Sequence, residues 1–419
     1  MIKRRVANFF VYLRSMRLRI KHIVYILLIA DLTTCKVPYT PPPITANNNY
    51  LVVEGLINIT DSTYINLSRT VSISSPSTVK PELKATINIV SNQGNTYPLK
   101  ELGNGVYAAA PLNLNPASQY QLQIKTSNGE QYTSDFVPAN VSPPIDSISW
   151  KATGSTLNIY ANTHDPNTAT RYYRWDFTEE WEFHTNYDSQ EISNGLQIIN
   201  RLPGQQIYFC YTGDVSTNVT LGTSAGLTDD VISQALINTI PSSSEKIGLE
   251  YSIFVKQYAL TKDAYDYWNL LKTNTQQLGS IFDAQPSATI GNIHSVSNPA
   301  EVVIGYISAG TITTQRIFIT KKTQLPTSWQ TIPFYPICDA DSLDCCPICK
   351  GCGIPTTCEF VNYLCTGGPG VLPFQSVTTQ LIPINPIVKR GDTIGTFAAD
   401  PKCVDCTLRG KTAPPPYWK

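Results

Sequence analysis

The sequence predicts a mainly β protein behind an export leader, and three observations carry that reading. Apolar and polar residues alternate with period 2 in segment after segment between about residues 50 and 320. Turn-forming residues separate those segments at short intervals. Charged residues make up 15% of the chain, below the ~25% usual in soluble domains. Ser, Thr, Asn and Tyr fill the difference, a balance that suits exported all-β domains better than a helical enzyme. Net charge is zero and no basic stripe is visible, which argues against nucleic acid as a partner.

The leader comes first. Arg17, Arg19 and Lys21 precede the apolar run Ile23–Ala30, which closes on Leu32-Thr33-Thr34-Cys35. A basic region, a short apolar stretch and small residues before a cysteine describe an export signal. The run is about ten residues long, half of the about 20 that a helix needs to cross a bilayer. The spacing resembles a bacterial lipobox and makes Cys35 the lipidation site, although Asp31 and the two threonines depart from the usual Leu-Ala-Gly-Cys pattern. A cysteine of that kind carries three acyl chains. One chain alone gives only about 10⁴ M⁻¹, so three would anchor the protein permanently. Met16 offers a conventional start, and the choice between Met1 and Met16 stays open. Residues 1–35 thus read as a lipoprotein signal peptide and 36–49 as a proline-rich tether.

Residues 50–140 read as an immunoglobulin-like or transthyretin-like β-sandwich. Ile65 and Leu67, then Leu83, Ala85, Ile87 and Ile89, then Tyr120, Leu122 and Ile124 alternate with polar neighbours. Gln93-Gly94-Asn95, Gly103-Asn104-Gly105 and Asn128-Gly129 supply hairpin turns. Val141-Ser142-Pro143-Pro144 marks a linker. Residues 145–330 read as a second sandwich-like β domain with two inserted helices. Its longest alternation runs from Tyr172 to Phe183, with Tyr173, Trp175, Phe177, Trp181 and Phe183 on one face. One helix is expected from about Thr228, with Asp229 and Asp230 in its first turn. The other starts near Thr261, puts Ala264, Trp268 and Leu271 on one face and stops at Gly279. Further strands are expected at 251–258, 301–308 and 315–320. Residues 331–419 form a Cys-rich C-terminal segment.

Of the 11 cysteines, Cys35 stands apart and the other ten are an even set: Cys210, Cys338, Cys345, Cys346, Cys349, Cys352, Cys358, Cys365, Cys403 and Cys406. In an oxidising compartment that number reads as disulfides, with connectivity left open.

Several blocks converge on a family. They are Leu51-Val52-Val53-Glu54-Gly55-Leu56-Ile57, then Thr163-His164-Asp165-Pro166 leading into Arg171-Tyr172-Tyr173-Arg174-Trp175. Tyr251-Ser252-Ile253 with Val255–Leu260 follows, then Gly279–Asp283, Cys403–Gly410 and Tyr417-Trp418. The chain resembles the Bacteroidota outer-membrane lipoproteins grouped as domain of unknown function 4249. The resemblance implies an outer-membrane lipoprotein, often encoded beside a TonB-dependent receptor, with no assigned enzymatic activity and no catalytic residue to carry over. Acidic residues often follow the lipidated cysteine in surface-bound members; Lys36-Val37-Pro38 stands here instead, so the leaflet stays open.

The sequence contains several candidate chemistries. Gly222-Thr223-Ser224-Ala225-Gly226 matches a nucleophile elbow, with Asp263, Asp266, Asp283 and His294 as possible triad partners. Against it, an elbow sits on a parallel α/β sheet, and nothing here alternates strand with helix. Cys346-Pro347-Ile348-Cys349 and Cys403-Val404-Asp405-Cys406 could hold zinc as four thiolates, but behind an export signal a disulfide-stapled knob is the expectation. Asp339, Asp341 and Asp344 loosely match a calcium loop without its glycine or terminal glutamate. Trp175 and Trp181 could stack on a sugar, while a strand alternating in this way more often buries such rings. Asp146-Ser147-Ile148, Asp341-Ser342-Leu343 and Asp392-Thr393-Ile394 resemble O-glycosylation triplets. The reading that results is a non-enzymatic, outer-membrane, lipid-anchored protein needing no cofactor or metal. It would serve as an accessory or substrate-capture subunit of a TonB-dependent receptor. The alternatives are an independent glycan- or peptide-binding surface lipoprotein and a serine hydrolase.

Overall fold

The strands follow one another as the alternation demands. The computed structural model describes residues 49–71, 79–193, 198–276, 291–344, 381–390 and 392–418. The leader, Cys35 and the tether up to Asn48 lie outside them, as do Gly279, Asp283 and the six cysteines from Cys345 to Cys365. The first strands are β1 (Leu51–Asn58), β2 (Thr63–Arg69), β3 (Lys80–Pro81), β4 (Thr86–Ser91), β5 (Thr96–Gly103), β6 (Val106–Ala109), β7 (Gln119–Lys125), β8 (Gln131–Ser134) and β9 (Val137–Asn140). Then come β10 (Ile145–Thr153), β11 (Thr156–His164), β12 (Tyr172–His184), β13 (Glu191–Ser193), β14 (Ile198–Asn200), β15 (Phe209–Val215), β16 (Thr220–Thr223), β17 (Val231–Pro241) and β18 (Glu250–Leu260). Helix α1 (Lys262–Gln276) precedes β19 (Ile293–Ser295), β20 (Ser308–Gly310), β21 (Ile312–Thr320), β22 (Ala340–Asp344), β23 (Ile382–Lys389) and β24 (Asp392–Ala399).

The mainly β class holds, and hydrogen bonding in the first region goes further than two facing sheets. It runs β7-β4-β5-β6-β2-β1-β20-β9 and closes through a β7–β9 pairing into a barrel-like ring of eight strands. The closing piece comes from far along the chain: β20 lies parallel to β1 on one side and β9 on the other. Between β19 and β20, Ile304 exchanges backbone hydrogen bonds of 2.9 Å with Leu51 and Val53. Gly305 makes that approach possible, because a Cβ there would lie 2.1 Å from the Val53 carbonyl oxygen. Ile293, Val303, Ile307 and Ala309 then join Val53, Ile65, Ile87, Leu122 and Tyr132 in one core. The expected strand at 301–308 is therefore mostly an irregular segment ending in β20.

One buried cation ties the returning segment down. Arg69, 6% exposed, bonds Glu82 at 2.6 Å and Glu130 at 3.1 Å, and Tyr132 donates to Glu301 at 2.8 Å. Burial works against the Arg69 charge, but the bonds to Glu82 and Tyr132 outweigh it and hold its pKa above the ordinary value.

The second region is a sandwich of two antiparallel sheets, β10-β11-β17 against β15-β12-β18-β21, with β16 also pairing β12. Leu157, Ile159 and Ala161 from one sheet meet Tyr173, Trp175, Ile253 and Val255 from the other. Helix α1 is the second expected helix: the Thr261 hydroxyl caps it, accepting from the Ala264 N–H at 3.2 Å, and Ala264 and Tyr267 are buried. The helix expected from Thr228 is instead a turn followed by strand β17. Val231, Ile232 and Ile240 are β-branched residues that pair along β11, and register shifts in that pairing, one of them at Ile237, break the alternation that would have announced a strand. Asp230 caps nothing; its carboxylate is 1% exposed and accepts from Tyr173 at 2.7 Å and from Ser224.

At the C-terminal end, β22-β24-β23 form a small sheet over a satellite core of Ile384, Ala399, Cys403 and Val404. Two disulfides tie this end to the rest, Cys210–Cys406 and Cys338–Cys403.

Candidate binding cleft at the C-terminal strap

Strand β15 is the edge of the larger sheet of the second sandwich, and the end of the chain is laid beside it. Cys406, bonded to Cys210 on β15, fixes the start of this strap. Arg409 then turns inward, pairs with both carboxylate oxygens of Glu245 at 2.8 and 2.9 Å, and stacks on Phe183 and Phe334 at 4.2 and 4.5 Å. Gly410 sits where a Cβ would meet the Tyr211 carbonyl oxygen at 2.6 Å, so only glycine lets the strap come this close. Lys411 exchanges two backbone hydrogen bonds with Tyr211, at 2.8 and 3.0 Å.

There the pairing stops. Pro414, Pro415 and Pro416 have no N–H to give the strand, and the strap arches away from the edge. It returns at Tyr417, which lies over the Arg316 guanidinium at 3.7 Å and donates to Glu180. Trp418 meets Tyr211 and Phe318 edge-on at 5.2 and 5.4 Å. Between the arch and the strand lies a cleft of about 740 Å³, lined by Glu180, Tyr211, Gly213, Lys411, Pro415 and Tyr417. Burial pushes the phenols of Tyr211 and Tyr417 up, with Glu182 and Glu180 adding to the shift. Both therefore act as hydrogen-bond donors at neutral pH. The cleft offers aromatic faces, one guanidinium, one exposed ammonium and strand backbone. That inventory suits recognition of a ligand.

A family profile described as "Domain of unknown function (DUF4249)" matches residues 36–316. The chain belongs to that family. No curated protein matches it. Among solved structures it is similar to the chitinase ChiA74 from Bacillus thuringiensis, at 15% identity over 46% of this chain and 29% of that one, with a TM-score of 0.14. It is also similar to the adhesin InvE of Yersinia pseudotuberculosis, at 14% identity over 51% of this chain and 55% of that one, with a TM-score of 0.13. The chain thus spans under a third of the chitinase and about half of the adhesin. Neither likeness carries an argument. The DUF4249 match ends at Arg316, so the strap lies beyond the matched residues.

The residues singled out in this DUF4249 chain fall in different places. Trp175 is fully buried and Trp181 is 8% exposed, both inside the sandwich core. Trp175 stacks on Tyr173 at 5.7 Å and donates to Gln257 at 2.9 Å, and Lys246 covers Trp181 at 4.7 Å. This corrects the ligand-stacking expectation: the outward row of β12, not the inward aromatic row, is what solvent meets. Ser224 is also fully buried, follows an antiparallel strand, and is succeeded by a turn and a strand. Its hydroxyl goes to Asp230, while Asp266 pairs with Lys262 and His294 with Asp135. The elbow context is missing. Cys403 and Cys406 bond different partners, so that pair does not supply two zinc thiolates. No group of three or more metal-ligating side chains occurs among the described residues. Asp341 lies on strand β22, where a calcium loop would need a turn. Among the residues that line the cleft, Glu180, Tyr211 and Lys411 carry no motif of their own. Arg409 and Tyr417 fall in the closing blocks Cys403–Gly410 and Tyr417-Trp418, whose sequence marks the family resemblance and not a site.

Proposed function

We propose that this protein is a lipid-anchored outer-membrane protein of a Bacteroidota cell, acting without catalysis as an accessory or substrate-capture subunit of a TonB-dependent receptor. The observation that carries the compartment is the pair of disulfides, Cys210–Cys406 and Cys338–Cys403, since such bonds persist outside the reducing cytosol. They agree with the leader ending at Cys35, and the family match supports the same assignment. In this reading Cys35 is the attachment; among the described residues no helix is long and apolar enough to cross a membrane. Capture is supported by the open cleft beside the strap. The same cleft favours a second reading, an independent surface lipoprotein that binds peptide or glycan.

The test is a pull-down of the full chain from detergent-extracted outer membranes of the native host, beside a Cys35→Ala variant. The proposal expects the wild-type chain in the membrane fraction with a β-barrel partner, and the variant released. A membrane-bound chain that elutes monodisperse and partnerless would leave only the second reading. A wild-type chain that stays soluble would overturn both.

A further inference from the structure

We infer that Tyr417 and Trp418 are a displaceable occupant, held in cis, of a preformed peptide site, and that its external ligand is an extended peptide bearing aromatic side chains. The inference concerns the chain alone and holds whichever membrane role is correct.

Three features of the strap lead to it. First, its attachment is thin. Past Lys411 the described backbone makes a single hydrogen bond, from the Trp418 N–H to Pro415, and that bond lies within the strap. Everything else that holds this end is side chain: the Tyr417 phenol on Glu180, its ring on Arg316, and the indole against Tyr211 and Phe318. Second, the receiving surface is built without the strap. Arg316 donates to Glu180 at 2.9 Å and to Ser252 at 2.8 Å, and lies over Phe254 at 4.9 Å. Those residues sit on β12, β18 and β21, locked in register by the sheet. Removing Tyr417 would leave the guanidinium in place with one face bare. Third, open space adjoins the docked rings: a cleft of about 740 Å³, within the roughly 300–1,000 Å³ of ligand sites, is walled by Glu180, Tyr211 and Gly213 on the sheet side and by the strap from Thr407 to Tyr417 on the other.

The occupant shows what the site accepts. Three prolines set an extended backbone that needs no ladder bonds, a phenol stacks on a cation, and an indole meets two aromatic edges. The prolines hold the chain extended and off the strand edge, and the two rings that follow make the contacts. The disulfide at Cys406 keeps the occupant on a short leash, so its effective concentration is on the order of millimolar. An external peptide must compete with it.

The experiment uses the full chain with the variant Y417A/W418A, which empties the site but keeps the Lys411 pairing and the arch. The probe is the fluorescein-labelled peptide Thr-Ala-Pro-Pro-Pro-Tyr-Trp-Lys, followed by anisotropy. The variant should bind it saturably and at least about tenfold tighter than wild type. Adding Arg316→Ala should remove that binding. A folded double variant that binds no tighter than wild type would overturn the inference. Wild type gives an independent readout that no misfolded variant can spoil. Carboxypeptidase Y should release Trp418 and Tyr417 while far-UV circular dichroism stays unchanged; release only in step with global unfolding would also overturn it.

Discussion

Removing the Cys210–Cys406 disulfide should cost the main fold far more than removing Cys338–Cys403. The first bond closes a loop of 196 residues, for which the chain-entropy relation gives about 5 kcal/mol. The second bond spans 65 positions inside that loop; it trims the first figure by only about 0.4 kcal/mol, and its own entropic figure of about 4 kcal/mol falls on the small C-terminal sheet, not on the main fold. Both sulfurs of the first bond are fully buried in the core of the second sandwich, near Phe183. The second bond stands in the satellite core with Ile384 and Val404. Measured losses fall short of the entropic figure, so C210A/C406A should lose about 3–5 kcal/mol. C338A/C403A should loosen the C-terminal sheet and leave the main transition nearly in place. Urea unfolding followed by tryptophan fluorescence and far-UV circular dichroism reads both, because Trp175 and Trp181 report on the sandwich core. If C210A/C406A stays within about 1 kcal/mol of wild type, or if both variants shift the main transition equally, the reasoning fails.

Three further outcomes follow from single positions. Gly410→Ala should push the strap off Tyr211, with a loss of about 1–3 kcal/mol in the urea transition, since its Cβ would sit 2.6 Å from a backbone oxygen. Burial holds the Glu191 pKa above its ordinary value, against the bond from Thr396. A raised carboxyl stabilises the fold only below its unfolded pKa and loses that contribution as pH rises through the folded one, so Glu191→Gln should raise the unfolding midpoint at pH 7 and make no difference below about pH 4. The Asp146 carboxylate raises the pKa of exposed His164 through a hydrogen bond and its charge. A proton NMR titration should place that histidine above about 6.5 and return it there in Asp146→Asn; an unchanged titration would reject the pair.

The strands were legible where one face is buried and the other wet. Strand β12 alternates buried and half-buried positions along its whole length, as the Tyr172–Phe183 pattern announced. Strand β17 hid because its bulges interrupt that alternation and two aspartates before it imitate a helix start. The closing of the first ring was not legible either. Ile304 and Gly305 reach Leu51 and Val53 across about 250 residues, and no local pattern records a partner that distant. The cleft hid for another reason. Its parts come from β12, β15 and the strap, each an ordinary Arg, Glu or Tyr until the fold brings them together.

The late arrival of β20 has a consequence for the birth of the molecule. Strands β1 and β9 both wait for residues 308–310, which emerge only after the entire first sheet and most of the second sandwich have been made. Until then each keeps an unpaired edge, the kind of surface on which chains join one another instead of folding. A nascent chain of this kind has to be kept apart from its copies until residues 308–310 are in hand. Fragments ending before Gly310 should therefore aggregate even though they contain every other strand of the ring.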